Sequence, residues 1–372
     1  MRLSNGYSKL LNLNEVNEIK KIDKSGMLSF CIEAPRHYEQ AYRLSQKLEV
    51  VYPKPEAIIV TGMGGSAIGG EILKDWGWDT IEVPIDVCRG YSLPAYANNK
   101  TLVFAVSYSG ETEETLSAFL NAVKKKCRVV CIGSGGTLIS FAEKMGIPHI
   151  KIPSEIPPRA ALPYLLTPML TYVVKIGLAS NIDLELNEAI EVMRKICEEN
   201  MPEKPVEECF SKKLAVELYG KVPVFYGFGY YRSVAQRLKQ QFNENSKVPS
   251  KWDVFPELDH NEVVGWEGME FDRFSAVIIR DSEEPEEIRY RIEATKEIIA
   301  DKLGGIHEIW SRGKCRLTKM LSTIIIGDFT SVYLAILRGI DPTPVETIER
   351  LKEKMASTGI KNRIIQKLNE ST

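Results

Sequence analysis

Two short stretches carry residue types suited to holding a phosphate. "TGMGGSAIGGEIL" begins at Thr61, directly behind the apolar run "AIIV". This order reads as a strand, a glycine turn and a helix, and glycines let backbone N–H groups close on an anion at a helix N-terminus. Gly65 and Ser66 sit where that anion would lie. "VFAVSYSGETEET" places three hydroxyls, on Ser107, Ser109 and Thr112, at a strand end and the start of the next helix. Hydroxyls beside helix N–H groups and a favourable dipole make an anion cradle. The plain alternative is an ordinary helix cap followed by the acidic first turn of Glu111, Glu113 and Glu114. Gly62, Gly64 and Ala67 also fit the dinucleotide fingerprint, with Asp86 near the position of a ribose-binding carboxylate. Two such turns at strand ends of one sheet would aim at one crevice, which favours a compact phosphate monoester. The glycine turn by itself leaves a nucleotide open.

The elements that must position these turns repeat along the chain. From Pro55 to Pro153 the apolar runs "AIIVTG", "IEVPIDVC", "TLVFAVS", "RVVCIG" and "HIKIP" alternate with amphipathic stretches such as "ETEETLSAFLNAVKKK". Strands alternating with helices predict an α/β fold with a mainly parallel sheet covered by helices on both faces. "PRAALPYLLTPMLTYVVKIGL" then reads as a helix closing a first domain, residues 1–183. After a charge-rich, helical stretch the pattern restarts with "VPVFYGFGYYRSVAQRLKQQFNE", "FSAVII", "PEEIRYRIEATKEIIADKL" and "HEIW". A second doubly wound domain, residues 184–372, is predicted to end in the helix "PVETIERLKEKMAS". The two halves form a weak internal repeat offset by about 165 residues. It is unequal: Gly227-Phe-Gly229 is followed by Tyr230 and Tyr231, rings where the first copy has Gly65 and Ser66. Only the first turn is expected to keep an open anion site.

Bulk properties exclude several classes. The 372 residues are 44% apolar and 26% charged, enough for two globular cores. A formal net charge of −2 gives no general attraction for nucleic acid or anionic membrane. The opening "MRLSNGYSKLLNLNEV" has no apolar signal segment, and "MLSTIIIGDFTSVYLAIL" is broken by Asp328, which predicts a buried amphipathic helix rather than a membrane span. The seven cysteines are scattered; even Cys127 and Cys131, in "CRVVC", read as reduced buried thiols, and a cytoplasmic location is expected. His37, His149, His260 and His307 show no metal-ligand spacing, so no metal is expected.

"GMGGSAIGGE", "SYSGETEET", "PRAALPYL", "NENSK" and "ELDHNEVVGWE" together resemble the bifunctional phosphoglucose/phosphomannose isomerases of the sugar isomerase (SIS) domain superfamily. The resemblance runs from about residue 50 to residue 355. It implies two SIS domains, a homodimer, and reversible aldose–ketose conversion of hexose 6-phosphates without metal or nucleotide. By resemblance Glu244, in "NENSK", is the base that moves the carbon-bound proton; its plain alternative is a solvated helix-end carboxylate. His260, in "PELDHNE", becomes the ring-opening acid/base, delivered across the dimer interface, with Asp259 and Glu262 beside it to hold one tautomer. Arg159, in "PPRAALP", otherwise a surface ion pair, becomes the cation facing the enediolate. Lys352, in "IERLKEK", matches the family's C-terminal functional lysine, with Lys354 one register step away. Gly65, Ser66, Ser107, Ser109 and Thr112 become the phosphate anchors. Two competing functions remain: a sugar-phosphate-sensing SIS regulator, and an NAD-dependent dehydrogenase using the Gly62 turn.

Overall fold

A computed structural model describes residues 13–268 and 271–371. Residues 1–12, the part of the chain expected to hold no secretory signal, lie outside the described residues. The chain forms two compact units. One contains Arg36–Leu184 together with the segment from Val345 onward; the other contains Glu185–Pro344 with the described residues before Arg36.

In the first unit five strands, β1 (Ala57–Thr61), β2 (Ile85–Cys88), β3 (Thr101–Val106), β4 (Arg128–Gly133) and β5 (His149–Lys151), pair in the order β2-β1-β3-β4-β5. All pairings are parallel. β1 and β3 are buried along their whole length, as runs like "AIIVT" and "TLVFAV" require when helices cover both faces. Its helices include α1 (Gly65–Trp76), α2 (Glu113–Lys124), α3 (Gly136–Lys144) and α4 (Leu162–Lys175).

The long segment of the second unit begins within α5 (Ile182–Glu199). Its strands β6 (Val222–Phe228), β7 (Lys251–Phe255), β8 (Phe274–Arg280) and β9 (Ile306–Trp310) pair in parallel in the order β7-β6-β8-β9. Its helices include α6 (Arg232–Gln241), α7 (Glu286–Ile299) and α8 (Arg316–Leu337). The same winding occurs twice, and the repeat reaches the backbone: Gly64 and Gly229, the second glycine of each turn, have φ of 49° and 48°. That left-handed conformation is open to glycine and strained for other residues.

Three features depart from the sequence reading. β7, "KWDVF", has too little alternation to stand out, yet it pairs with β6 from Val224–Lys251 to Phe228–Phe255. The chain ends cross between the units instead of staying on either side of residue 184. Beyond α9 (Glu346–Ala356) a further helix, α10 (Ile360–Asn369), buries Ile364 and Leu368 in the apolar cluster of Val103, Leu116 and Phe119. At the other end, the Leu13 carbonyl accepts from the buried Lys212 ammonium at 2.5 Å, and the Asn14 side chain accepts from the Val206 N–H at 2.8 Å. Burial and hydrogen bonding, which no local pattern announces, decide where each end belongs.

Helix α8 is long and apolar enough to cross a membrane by length and composition, and almost all of it is buried in its unit. It is buried nearly all round rather than along one face, its Thr318, Lys319, Ser322 and Ser331 included. Asp328 is accommodated by Arg237 at 2.8 Å and by the Gln241 amide at 2.8 Å. The start of α8 is capped from another helix. The Glu188 carboxylate of α5 accepts the N–H groups of Lys314 (2.8 Å) and Cys315 (2.9 Å) and the Thr318 hydroxyl (3.0 Å). Glu185 takes the Leu317 N–H at 3.0 Å. Burial alone would raise the Glu188 carboxyl, but the Cys315, Lys314 and Thr318 donors outweigh it and bring it down to about 2. A carboxyl depressed below its unfolded value stabilises above that value, and the contribution is lost as pH falls through the folded one. Glu188→Gln is therefore expected to lower Tm at pH 7 by about 2–4 °C, the size of one lost cap. In a pH series of thermal melts the gap to wild type should close between about pH 5 and pH 2. A gap independent of pH would remove the charge from this account.

Candidate active site

In a doubly wound sheet the ligand crevice opens at the carboxyl ends of the two strands flanking the switch point. In the first unit these are β1 and β3, and both phosphate-type turns are found there. The turns are locked together. A Cβ on Gly62 would lie 2.9 Å from the Val106 carbonyl oxygen, and the Tyr108 N–H donates to Ser66 Oγ at 3.2 Å. Ser66 and Ser107 are buried, while Ser109 is exposed and accepts the Glu111 N–H at 3.2 Å.

The helix-cap alternative for Thr112 can be read directly. Thr112 occupies the N-cap position of α2, but its side chain makes no cap bond to the helix. Its hydroxyl instead accepts from Ser107 Oγ at 3.0 Å. Gly64, at the N-cap of α1, has no side chain to cap with. Both helix starts thus lack a side-chain cap from their own N-cap residue and face the end of the same strand pair, an arrangement suited to a small dianion. Glu111 turns away from the crevice. It accepts the Thr137 N–H at 2.6 Å at the start of α3 and pairs with Lys361 of α10. Burial pushes its carboxyl up, but Lys361 and Thr137 together hold it below its ordinary value.

Arg159 joins this cluster through its backbone. It lies in the short turn Pro158–Ala160, is buried, and a Cβ on Gly65 would sit 2.9 Å from the Pro158 carbonyl oxygen and 3.4 Å from Arg159 Cα. Only glycine allows that approach. Asp86, on which the dinucleotide reading turned, is engaged: the Tyr96 hydroxyl donates to it at 2.5 Å and Lys74 stands 3.6 Å away. Lys352, with Lys354, is exposed on α9, a helix without a buried residue.

Glu244 and His260 belong to the other unit, each on a pinned turn. Helix α6 does not simply end at Glu244; it widens into a turn over Phe242–Ser246 in which the Lys247 N–H reaches back five residues to the Phe242 carbonyl. Such π-type turns re-aim side chains and recur at functional sites. Asn245 Nδ2 donates to Ser331 Oγ at 2.9 Å, Ser246 Oγ donates to the Ser331 carbonyl at 2.6 Å, and Lys247 bonds the carbonyls of Glu244 and Pro342. Phe242 packs on Phe225 with ring centroids 4.9 Å apart. Glu244 itself is half-buried.

His260 is exposed at the end of the tight turn Glu257–His260. Its neighbours do not serve it as the sequence reading expected. Asp259 accepts from Thr295 at 2.8 Å and Arg291 at 3.2 Å, both on α7. Glu262 accepts from Lys251 at 3.0 Å and from the Tyr226 hydroxyl at 3.2 Å, and Trp266 Nε1 donates to that hydroxyl. These carboxylates fasten the loop to the sheet and to α7, so they fix where the imidazole stands rather than which tautomer it holds.

Among the described residues no group of three or more His, Cys, Asp or Glu is arranged to hold a metal ion. All seven cysteines are free, four of them buried.

Residues 208–355 match the family described as the bacterial phospho-glucose isomerase C-terminal SIS domain. The chain is 41% identical over 327 residues to the bifunctional phosphoglucose/phosphomannose isomerase of Caldicellulosiruptor bescii, covering 87% of this chain and 96% of that protein. The protein of the same name from Aquifex aeolicus is 34% identical over 81% of this chain and 90% of its own. A hypothetical protein of Thermus thermophilus, of solved structure, shares the fold with a TM-score of 0.74 at 20% identity over 96% of both chains. With relatives this similar over nearly their whole length, the chain belongs to the family of bifunctional phosphoglucose/phosphomannose isomerases.

Proposed function

We propose that this protein interconverts the 6-phosphates of glucose and mannose with fructose 6-phosphate through an enediolate. The observation that carries the reading is the pair of turns at the ends of β1 and β3, where Ser66 takes the Tyr108 N–H, Ser107 bonds Thr112, and the Arg159 backbone lies against Gly65. That pair suits the phosphate of a compact monoester.

The chemistry is redox-neutral. The proton leaving C2 of the aldose is returned at C1, and the carbonyl moves in the opposite direction, so no external hydride acceptor enters the balance. Glu244 is assigned the carbon-to-carbon proton transfer, for which a general base gives about 10²–10⁴-fold. His260 is assigned ring opening, acting in the partner subunit's site of a homodimer. Arg159 is assigned stabilisation of the enediolate charge, since a fixed buried cation needs no reorganisation as that charge develops. Lys352 is carried as the family's C-terminal lysine. The cytoplasm, where hexose phosphates are metabolised, is the proposed location.

A coupled assay for fructose 6-phosphate, run separately from both aldose phosphates, tests the reading. Turnover of both is expected. Tight binding without turnover would favour the regulator, and reduction of added NAD without formation of fructose 6-phosphate would favour the dehydrogenase.

The anchors have their own signature. An anchor held equally in ground and transition states changes KM and leaves kcat. Ser107→Ala and Thr112→Val are each expected to raise KM about 10-fold or more, the worth of a hydrogen bond to a charged group. Unchanged KM in both folded variants would return this turn to a structural role.

A further inference from the structure

The winding that creates the crevice at β1 and β3 recurs in the second unit, so a crevice at the ends of β6 and β8 must recur with it. The turns correspond in detail. Gly227 and Gly229 repeat Gly62 and Gly64, with the same left-handed φ at the second glycine. A Cβ on Gly62 would lie 3.1 Å from the Ser66 carbonyl carbon, and one on Gly227 would lie 2.6 Å from the Tyr231 carbonyl oxygen.

The contents are what differ. Tyr230 and Tyr231 replace Gly65 and Ser66, and the residue following β8 is Asp281 where Ser107 follows β3. Asp281 is buried, and both its oxygens are used. One accepts the hydroxyls of Tyr230 at 2.8 Å and Tyr231 at 2.7 Å. The other accepts the Glu283 N–H at 2.9 Å and the Lys319 ammonium at 3.0 Å. Lys319 and Tyr231 are themselves buried; Lys319 also pairs with Glu283, and the Tyr231 hydroxyl lies 2.7 Å from Ser311 Oγ. Arg316 stacks over the Tyr230 ring at 5.1 Å. Burial would raise the Asp281 carboxyl, but Glu283, Tyr231, Lys319 and Tyr230 hold it below its ordinary value, so it is a buried anion. Two phenols, an ammonium and a backbone N–H converging on one buried anion are the donor set of an oxyanion-binding site.

We propose that the crevice of the second sheet is an oxyanion site whose resident ligand is the Asp281 carboxylate, and that it takes up a free small oxyanion once that carboxylate is removed. The first sheet presents the same site open; the second carries its own anion. The proposal concerns the second sheet alone and does not depend on the reaction assigned to the protein.

Formate is the probe, because Asp281→Gly leaves a space that a carboxylate alone can refill. Thermal melts of the full-length variant are run with increasing formate against chloride at matched ionic strength. A ligand bound only by the folded state at about 100 times its Kd should raise Tm by about 5–10 °C. Wild type, and Asp281→Asn with its neutral isosteric amide, should show no formate-specific rise. If the glycine variant does not fold in chloride, it is refolded with formate, and recovery there alone supports the proposal. A folded glycine variant that responds to formate no more than wild type overturns it. So does failure to fold in either salt while Asp281→Asn folds, because the donor set would then not be one that a free anion can satisfy.

Discussion

Glu244→Gln is expected to lower kcat at least about 100-fold while a competitive sugar-phosphate inhibitor binds nearly as before, because a general base contributes about 10²–10⁴ to the proton-transfer step. The amide keeps the size and hydrogen-bonding reach of the carboxylate but cannot take a proton. The turn that carries it should survive, since Phe242 still packs on Phe225, Asn245 and Ser246 still bond Ser331, and Lys247 still bonds the Pro342 carbonyl. Steady-state kinetics with fluorescence-monitored inhibitor binding separates the two effects. More than about a tenth of wild-type turnover would be incompatible with a general base at this position.

The second large effect concerns subunit exchange. His260 is proposed to act in the partner's site and Glu244 in that of its own chain, and a C₂ dimer delivers the same loop to both sites. Homodimers of Glu244→Gln and of His260→Ala should each be nearly inactive. In a hybrid of the two, one site lacks both groups and the other keeps both, so about half of wild-type activity should return by that symmetry count. If His260 serves its own chain, every site in the hybrid lacks one group and nothing returns. Mass spectrometry of the mixed sample establishes that hybrids have formed, so a flat activity is then decisive against sharing. The exposure of His260 on a loop fastened by Asp259, Glu262 and Trp266 supports the assignment, because a group acting in a neighbour's site must stand out rigidly from its own chain.

What the sequence makes legible is what it holds in contiguous form. The glycine turn after β1 and the hydroxyl turn after β3 are each one short string, with the strand before and the helix after. The double winding follows from repeated apolar runs, and the rings at Tyr230 and Tyr231 already mark the second turn as filled. Groups made by distant segments are not legible in this way. Asp281 and Lys319 are 38 residues apart and meet only in the fold. α10 declares its unit through Ile364 and Leu368 in the core, Ile360 and Ile365 packed against it, and Lys361 on Glu111. Local chemistry misleads where a closer partner wins: Asp259 and Glu262 flank His260 in sequence, yet Thr295, Arg291, Lys251 and Tyr226 claim them. The five-residue turn at Glu244 has no propensity signature, because its residues Asn245 and Ser246 are held by Ser331, far along the chain.

Movement of the carbonyl of a hexose 6-phosphate between C1 and C2 by proton transfer is reversible. It is tested most directly from the ketose side, by following fructose 6-phosphate in D₂O with the wild-type protein by proton and phosphorus NMR. Both glucose 6-phosphate and mannose 6-phosphate should appear without added nucleotide, with deuterium at C2 in the fraction of turnovers where the base exchanges its proton with solvent before returning it. Fructose 6-phosphate left unchanged by folded protein that demonstrably binds it would rule out an isomerase.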